Sequence, residues 1–67
     1  MLKAEYLERV EEELYGNYQL DLWRAVDIMA RRAKTVAMFH RRHDTPREAA
    51  DELARRYSIQ PLARNGG

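Results

Sequence analysis

Apolar residues recur at helical spacing along most of the chain, with turn-forming residues at two places between them. In the first segment they follow at intervals of four, and glutamates occupy the opposite side. The apolar residues of this segment are Leu2, Tyr6, Val10 and Leu14. The pattern predicts an amphipathic helix over 2–15. Gly16 and Asn17 suit a helix end and the next N-cap, so we expect a break there. A helix continuing through Gly16 is the alternative, because an interior Gly costs only about 1 kcal/mol.

Residues 18–43 contain neither Gly nor Pro and keep the helical apolar spacing throughout. This predicts one central helix of about seven turns, about 39 Å long. Its apolar side is rich in alanine, which lets another helix approach closely, so we expect this side to be a packing groove rather than a bulky core. The side comprises Leu22, Trp23, Ala25, Val26, Met29, Ala30, Ala33, Val36 and Ala37.

The clearest local signal is the segment Thr45-Pro46-Arg47-Glu48. A Thr followed three residues later by Glu forms a capping box, and Pro suits the first helical position. The segment predicts a helix over 46–57, supported by Asp51–Arg55 and Glu52–Arg56 pairs. We expect 58–67 to be a flexible C-terminal tail in which Ile59 and Leu62 fold back on the helices. Gly66-Gly67 is interpreted as an ordinary terminus or a cloning remnant.

Together these elements predict an all-α fold with three helices, at about 2–15, 18–43 and 46–57, in a single domain over 1–57. Both connections are short, which favours antiparallel packing of the two shorter helices along successive halves of the long one. Such an arrangement leaves one side of the long helix uncovered. We therefore expect a helical homodimer.

The two halves of the chain carry opposite charge. Residues 1–23 hold six acidic and two basic residues, a net charge of −4, whereas 24–67 hold ten basic and five acidic residues, a net charge of +5. Between Ile28 and His43 there is no acidic residue. This asymmetry favours an acidic partner, or pairing of opposite ends between two copies of the chain.

Composition narrows the class of protein further. A chain of 67 residues buries only a small core, and without Cys it has neither disulfides nor thiolate metal sites to support that core. No apolar run approaches the ~20 residues that a membrane helix needs, and no signal-peptide pattern is present. We therefore expect a cytoplasmic protein without a membrane partner.

The sequence predicts no catalytic, metal or cofactor site. His40 and His43 are spaced to share a metal ion, with Asp44 next to them, but no third or fourth ligand is evident. We expect His40 to pack against the last helix and His43 to lie at the negative end of the central helix. Ser58 is the only Ser, and no Gly-rich phosphate loop is present, so an enzyme is not predicted.

The leading hypothesis is a small helical protein-protein interaction module, an adaptor, inhibitor or regulator that acts by binding another protein. Ile28 and Phe39 are large apolar residues on an otherwise basic side of the central helix, which marks them as contact points. Aromatic residues and Arg dominate binding energy at interfaces. The predicted contact residues are Trp23, Ile28, Arg31, Arg32, Phe39, Arg42 and Tyr57.

The alternative is a nucleic-acid-binding regulatory protein. Basic residues cluster in the second half of the predicted central helix, as phosphate contacts require. The residues of this cluster are Arg31, Arg32, Lys34, Arg41 and Arg42. A helix-turn-helix is disfavoured, because the residues after Tyr57 leave little room for a recognition helix.

Overall fold

The computed structural model describes residues 1–18 and 20–59, and over these residues the chain forms four helices and no strand. The helices are α1, Lys3–Asn17; α2, Leu22–Arg31; α3, Ala33–Arg41; and α4, Pro46–Tyr57. The all-α class is confirmed, but the prediction of three helices was wrong. The stretch 18–43, expected to form one long central helix, instead holds two helices preceded by a non-helical connection.

The break between α2 and α3 lies at Arg32, whose backbone (φ −112°, ψ 25°) leaves the helical region. The Arg32 N–H still donates to the Ile28 carbonyl at 2.9 Å, and the Arg32 carbonyl accepts from the Val36 N–H at 3.0 Å. These two bonds belong to the last turn of α2 and the first turn of α3, one on each side of the break. Because no Gly or Pro stands here, we attribute its position to tertiary packing. The Arg32 guanidinium lies 3.7 Å from the centre of the Tyr57 ring in α4.

The fold is assembled on α1, which contacts each of the other three helices. The described residues extend over 37 × 20 × 19 Å, so the protein is elongated. The expectation that two short helices cover a long central one was therefore wrong, because the helix with neighbours on several sides is α1. The buried core residues are Tyr6, Val10, Leu14, Leu20, Ala25, Val36, Phe39, Ala49, Ala50, Leu53, Ala54 and Ile59.

The apolar stripe predicted for the first helix is confirmed in α1, where Tyr6, Val10 and Leu14 are buried at intervals of four. The break predicted at Gly16-Asn17 was misplaced, because α1 runs on to Asn17. A methyl group added at Gly16 would contact nothing, so this Gly neither crowds a neighbour nor ends the helix. The N-cap of α2 is Asp21, whose side chain accepts from the Arg24 N–H at 2.9 Å.

The predicted capping box at the start of α4 is confirmed. The Thr45 hydroxyl accepts from the Glu48 N–H at 3.1 Å, and the Glu48 carboxylate accepts from the Thr45 N–H at 2.8 Å. One predicted ion pair differs: Arg55 pairs with Glu52 at 2.7 Å, while Asp51 accepts from the Tyr18 hydroxyl at 2.8 Å. The predicted Glu52–Arg56 pair forms at 3.2 Å.

Two left-handed residues end α3 and α4. His43 (φ 64°) follows α3, and the next amide, of Asp44, donates to the Phe39 carbonyl at 3.1 Å. Ser58 (φ 55°) follows α4, and the Ile59 N–H donates to the Ala54 carbonyl at 3.0 Å. Both are Schellman-type ends without the usual Gly. The second turn places Ile59 in the core, whereas Leu62, Gly66 and Gly67 lie outside the described residues.

The broken central stretch removes the original reason for expecting a homodimer. That expectation assumed a straight seven-turn helix too long for its neighbours to cover. With α2 and α3 as separate helices on α1, the need for a second molecule depends instead on which side chains are exposed. In the described residues, none of the helices is both long and apolar enough to span a bilayer.

Candidate protein-binding surface

Three of the large apolar side chains of α2 are exposed to solvent. Trp23 is 79% exposed, Leu22 49% and Val26 39%, whereas Ala25 is the fully buried residue of this helix. Isolated exposed apolar residues are common on proteins, but three neighbouring ones on a single helix are not. Other exposed large apolar residues lie on or just before α1. These are Met1, Leu2 and Tyr15.

The apolar surface continues along α3. Ala30 and Ala33 are exposed and Ala37 is half-buried. We call the whole surface the α2–α3 stripe. It comprises Leu22, Trp23, Val26, Ala30, Ala33 and Ala37. Its members follow at intervals of three and four residues along the two helices. At 1.5 Å per residue the stripe is about 24 Å long.

The α2–α3 stripe is exposed because the fold uses the opposite side of the same helices. Ala25, Val36 and Phe39 are buried, and Ile28 and Met29 pack partly against them. The predicted alanine-rich side therefore packs within this chain only in part. Ala25 and Val36 are buried in the core, whereas Ala30 and Ala33 are exposed. Helices α2 and α3 therefore have two apolar sides, one packed in the core and one exposed.

Charged residues border the solvent side of the α2–α3 stripe. Asp27, Lys34 and Arg41 each stand four residues after a member of the stripe, so each lies beside it. Asp27 accepts from Arg31 at 2.9 Å in an exposed ion pair. Within the described part of the chain no salt bridge involves Lys34 or Arg41. The border thus carries a negative charge near α2 and positive charges along α3.

Two of the predicted contact residues lie at the α2–α3 stripe. Trp23 belongs to it, and Arg31 stands near its edge in the pair with Asp27. Ile28 is on the packed side of α2 and is half-buried. Of the three predicted contact residues in α2, Trp23 and Arg31 thus lie at the exposed side and Ile28 on the packed side.

The remaining predicted contact residues lie elsewhere. Arg32 stacks on Tyr57, whose hydroxyl is 3.3 Å from the Thr35 hydroxyl, so these groups join α3 to α4. The hydrogen bond with Thr35, with Arg32 nearby, lowers the pKa of Tyr57. Arg42 pairs with Asp44 at 2.5 Å.

Phe39 requires a correction, because its side chain is fully buried and cannot contact a partner in this conformation. The guanidinium groups of Arg42 and Arg56 lie 5.3 and 5.6 Å from its ring centre. Periodicity placed Phe39 on a basic side of a straight helix, but the fold buries its side chain in the core. Replacing Phe39 would therefore damage the core before it tested any interface.

The predicted basic cluster does not form one free patch. Arg31 and Arg42 each pair with a carboxylate, and Arg32 stacks on an aromatic ring. Lys34 and Arg41 are exposed and lie on one side of α3. Of the five basic residues in the predicted cluster, Lys34 and Arg41 are therefore the ones that are exposed without an ion pair in the described residues.

A cavity of about 360 Å³ lies between the start of α1 and the α3–α4 turn. Within it, Tyr6 and His40 pack with ring centres 4.9 Å apart, and His40 Nε2 is 3.0 Å from the Met1 carbonyl oxygen. His40 therefore packs against α1 rather than the last helix. The lining residues are Met1, Tyr6, His40, His43, Asp44, Thr45 and Pro46.

The Tyr6 hydroxyl in this region is buried and has no hydrogen-bond partner among the described residues. Burial, with the nearby Asp44 and Glu48 carboxylates, raises the pKa of Tyr6. No group of three or more potential metal ligands occurs in the described residues. The cavity is thus a mixed polar and apolar recess in which one buried polar group lacks a partner.

No protein-family model, curated protein or solved structure matches this chain. Evidence for the function of this protein therefore comes from its own surfaces. Sequence reasoning included the residues of the α2–α3 stripe in an apolar arc but named only Trp23 among them as a contact residue. The signal that could have indicated its exposure was the width of the apolar arc, which exceeds what two short neighbouring helices can cover.

Proposed function

We propose that this protein is a non-enzymatic protein-protein interaction module that binds through the α2–α3 stripe. The observation that supports the proposal is the exposure of Trp23, which is 79%, beside exposed Leu22 and Val26. Trp is the residue type most enriched among interface residues that dominate binding energy. An adaptor, inhibitor or regulator of this size is the class we propose, with a cytoplasmic location.

The shape of the α2–α3 stripe favours a helix as the bound element. A row of small residues, Ala30, Ala33 and Ala37, permits a close approach of two helix axes. Large side chains at the other end, Leu22 and Trp23, supply apolar area. Helix-in-groove recognition uses such an apolar row at intervals of three and four residues.

The nucleic-acid alternative has less support. Phosphate binding needs several cations on one surface, and only Lys34 and Arg41 of the predicted cluster are exposed without a salt bridge in the described residues. The exposed apolar row next to them is not a feature that phosphate contacts require. We expect no binding of generic duplex DNA or RNA at low salt, measured by fluorescence anisotropy.

Site-specific photocrosslinking in the source cells tests the proposal. A photoreactive amino acid at Ala30 places the probe in the stripe, and the same amino acid at Ala4, an exposed position of α1, is the matched control. We expect a covalent adduct with an identified polypeptide from position 30 and not from position 4. Adding Trp23→Ala should reduce the yield of that adduct.

The proposal is contradicted if position 30 yields no polypeptide adduct, or if both positions yield the same adducts in similar amounts. An adduct that survives Trp23→Ala at full yield would also contradict it, because the stripe would then not carry the binding. Mass spectrometry of the adducts identifies the attached chain in each case.

A further inference from the structure

We propose that the occupant of the α2–α3 stripe is a second copy of this chain, seated antiparallel to the first. This inference names the partner of the surface and rests on the proposed function. In the pairing that gives the longest overlap, Ala30 faces Ala33 of the second copy and Val26 faces Ala37. Each contact occurs twice around a two-fold axis, as an isologous interface requires.

Complementary sizes favour this pairing. The alanines at the centre allow the two backbones to approach closely, while each large residue near one end meets a smaller one of the other chain. A parallel pairing would instead place Trp23 on Trp23 and leave a gap along the alanines. The distribution of large and small residues therefore selects the antiparallel arrangement.

The charges along the border of the stripe favour the same arrangement. In the antiparallel pairing, Asp27 of each copy lies next to Lys34 of the other, which gives two opposite-charge contacts. Arg41 lies beside Trp23 of the other copy, where a cation–π contact can form. A parallel pairing would place the two borders on opposite sides of the interface, so these contacts could not form. The charged residues along the stripe of one copy are thus complementary to those of an antiparallel second copy.

A uniformly acidic partner helix fits this border less well. Such a helix would attract Lys34 and Arg41 but would be repelled at Asp27. The alternating sign along the border is matched by a partner with the same charges in the reverse order. A second copy of the chain supplies that order.

The extent of the stripe sets the expected strength of the pairing. Two helices in contact over about 24 Å bury an area at the low end of specific interfaces. We therefore expect a reversible dimer that dissociates on dilution. Sedimentation equilibrium from about 1 µM to about 1 mM should show a monomer at the lowest concentrations and a dimer at the highest, a range chosen for a weak complex.

Charge exchange across the border tests the pairing directly. Asp27→Lys and Lys34→Asp each convert two attractive contacts into repulsive ones, so each variant should raise the dimer dissociation constant about tenfold at low salt. The double variant restores opposite charges and should return the constant to within about threefold of the original. All substituted side chains are exposed, and circular dichroism checks that each variant stays folded.

Ala30→Glu, at the centre of the pairing, should abolish the dimer, and Ala4→Glu on exposed α1 is its matched control. The inference is overturned if the protein sediments as a monomer at every concentration, or if the two single charge variants and the double variant dimerise equally. A monomer that still gives a stripe-specific crosslink to a different protein would overturn the second copy as occupant while leaving the proposed function supported.

Discussion

Helices α1 and α2 use their apolar residues in opposite ways. In α1 the members of the apolar stripe, Tyr6, Val10 and Leu14, are all buried under the other helices. In α2, Leu22, Trp23 and Val26 face solvent, Ile28 and Met29 are half-buried, and the small Ala25 is the one that is fully buried. The comparison teaches that apolar spacing shows where a helix can be covered, but not whether its own chain covers it.

The two helices should therefore contribute to different properties of the protein. Removing side chains from α1 should lower the free energy of unfolding, because those side chains make up the core. Removing them from the stripe should leave folding nearly unchanged and reduce binding. A substitution in α1 that mainly reduced binding, or one in the stripe that mainly lowered the free energy of unfolding, would contradict this expectation.

The largest expected effect is that of Leu14→Ala. Its side chain is fully buried, so the substitution should lower the free energy of unfolding by about 3 kcal/mol. A core this small supplies only a few kcal/mol, so much of the variant should be unfolded at room temperature. Urea denaturation followed by circular dichroism measures the change.

Leu22→Ala is the matched control for that substitution, because it removes the same atoms from a half-exposed position in α2. We expect it to cost less than about 1 kcal/mol when measured on dilute protein. Equal losses in the two variants would mean that α2 packs into the core as α1 does, which would contradict the comparison.

Tyr6→Phe should stabilise the protein, with a smaller effect than Leu14→Ala. The Tyr6 hydroxyl is buried with no partner among the described residues, so removing it should raise the free energy of unfolding by about 1 kcal/mol. Tyr18→Phe is the control, because the Tyr18 hydroxyl donates to Asp51 at 2.8 Å, and its loss should destabilise the protein. A less stable Tyr6→Phe variant would show that this hydroxyl has a favourable interaction.

Thr45→Ala tests how much the capping box contributes to the stability of α4, which packs against α1. It removes the hydroxyl that accepts from the Glu48 N–H, and should cost about 1 kcal/mol in thermal or urea denaturation. Thr45→Ser keeps the hydroxyl and should retain most of the stability. If alanine and serine behave alike, the capping box does not stabilise α4.

The smallest effect on folding is expected for Trp23→Ala. The side chain is largely exposed, so the free energy of unfolding of dilute protein should change by no more than about 0.5 kcal/mol. A loss above about 2 kcal/mol would place Trp23 in the core and remove the main support for the α2–α3 stripe.

The parts of the fold that follow from local signals could be predicted from the sequence. The α4 helix and its capping box follow from Thr45, Pro46 and Glu48, and the buried side of α1 follows from intervals of four. The α2–α3 break could not be predicted, because no Gly or Pro marks it; it lies at Arg32, which stacks on Tyr57 from a distant part of the chain. The spacing of apolar residues around position 32 does not indicate such a contact.

The candidate surface was predictable only in part. Trp23, a predicted contact residue, is exposed, but Phe39, another one, is fully buried in the core. The apolar arc on 22–37 was evident, yet its exposure depends on where α1 packs. Periodicity gives the direction of each side chain from the helix axis, and only the tertiary arrangement decides which direction is solvent.

The most direct test of the central claim is acrylamide quenching of the fluorescence of Trp23, the only Trp in the chain. In dilute protein we predict quenching close to that of a free indole, because the side chain is 79% exposed. Quenching should fall as concentration increases and a second copy covers the stripe. A Trp that is strongly protected from acrylamide at the lowest concentration would contradict the account.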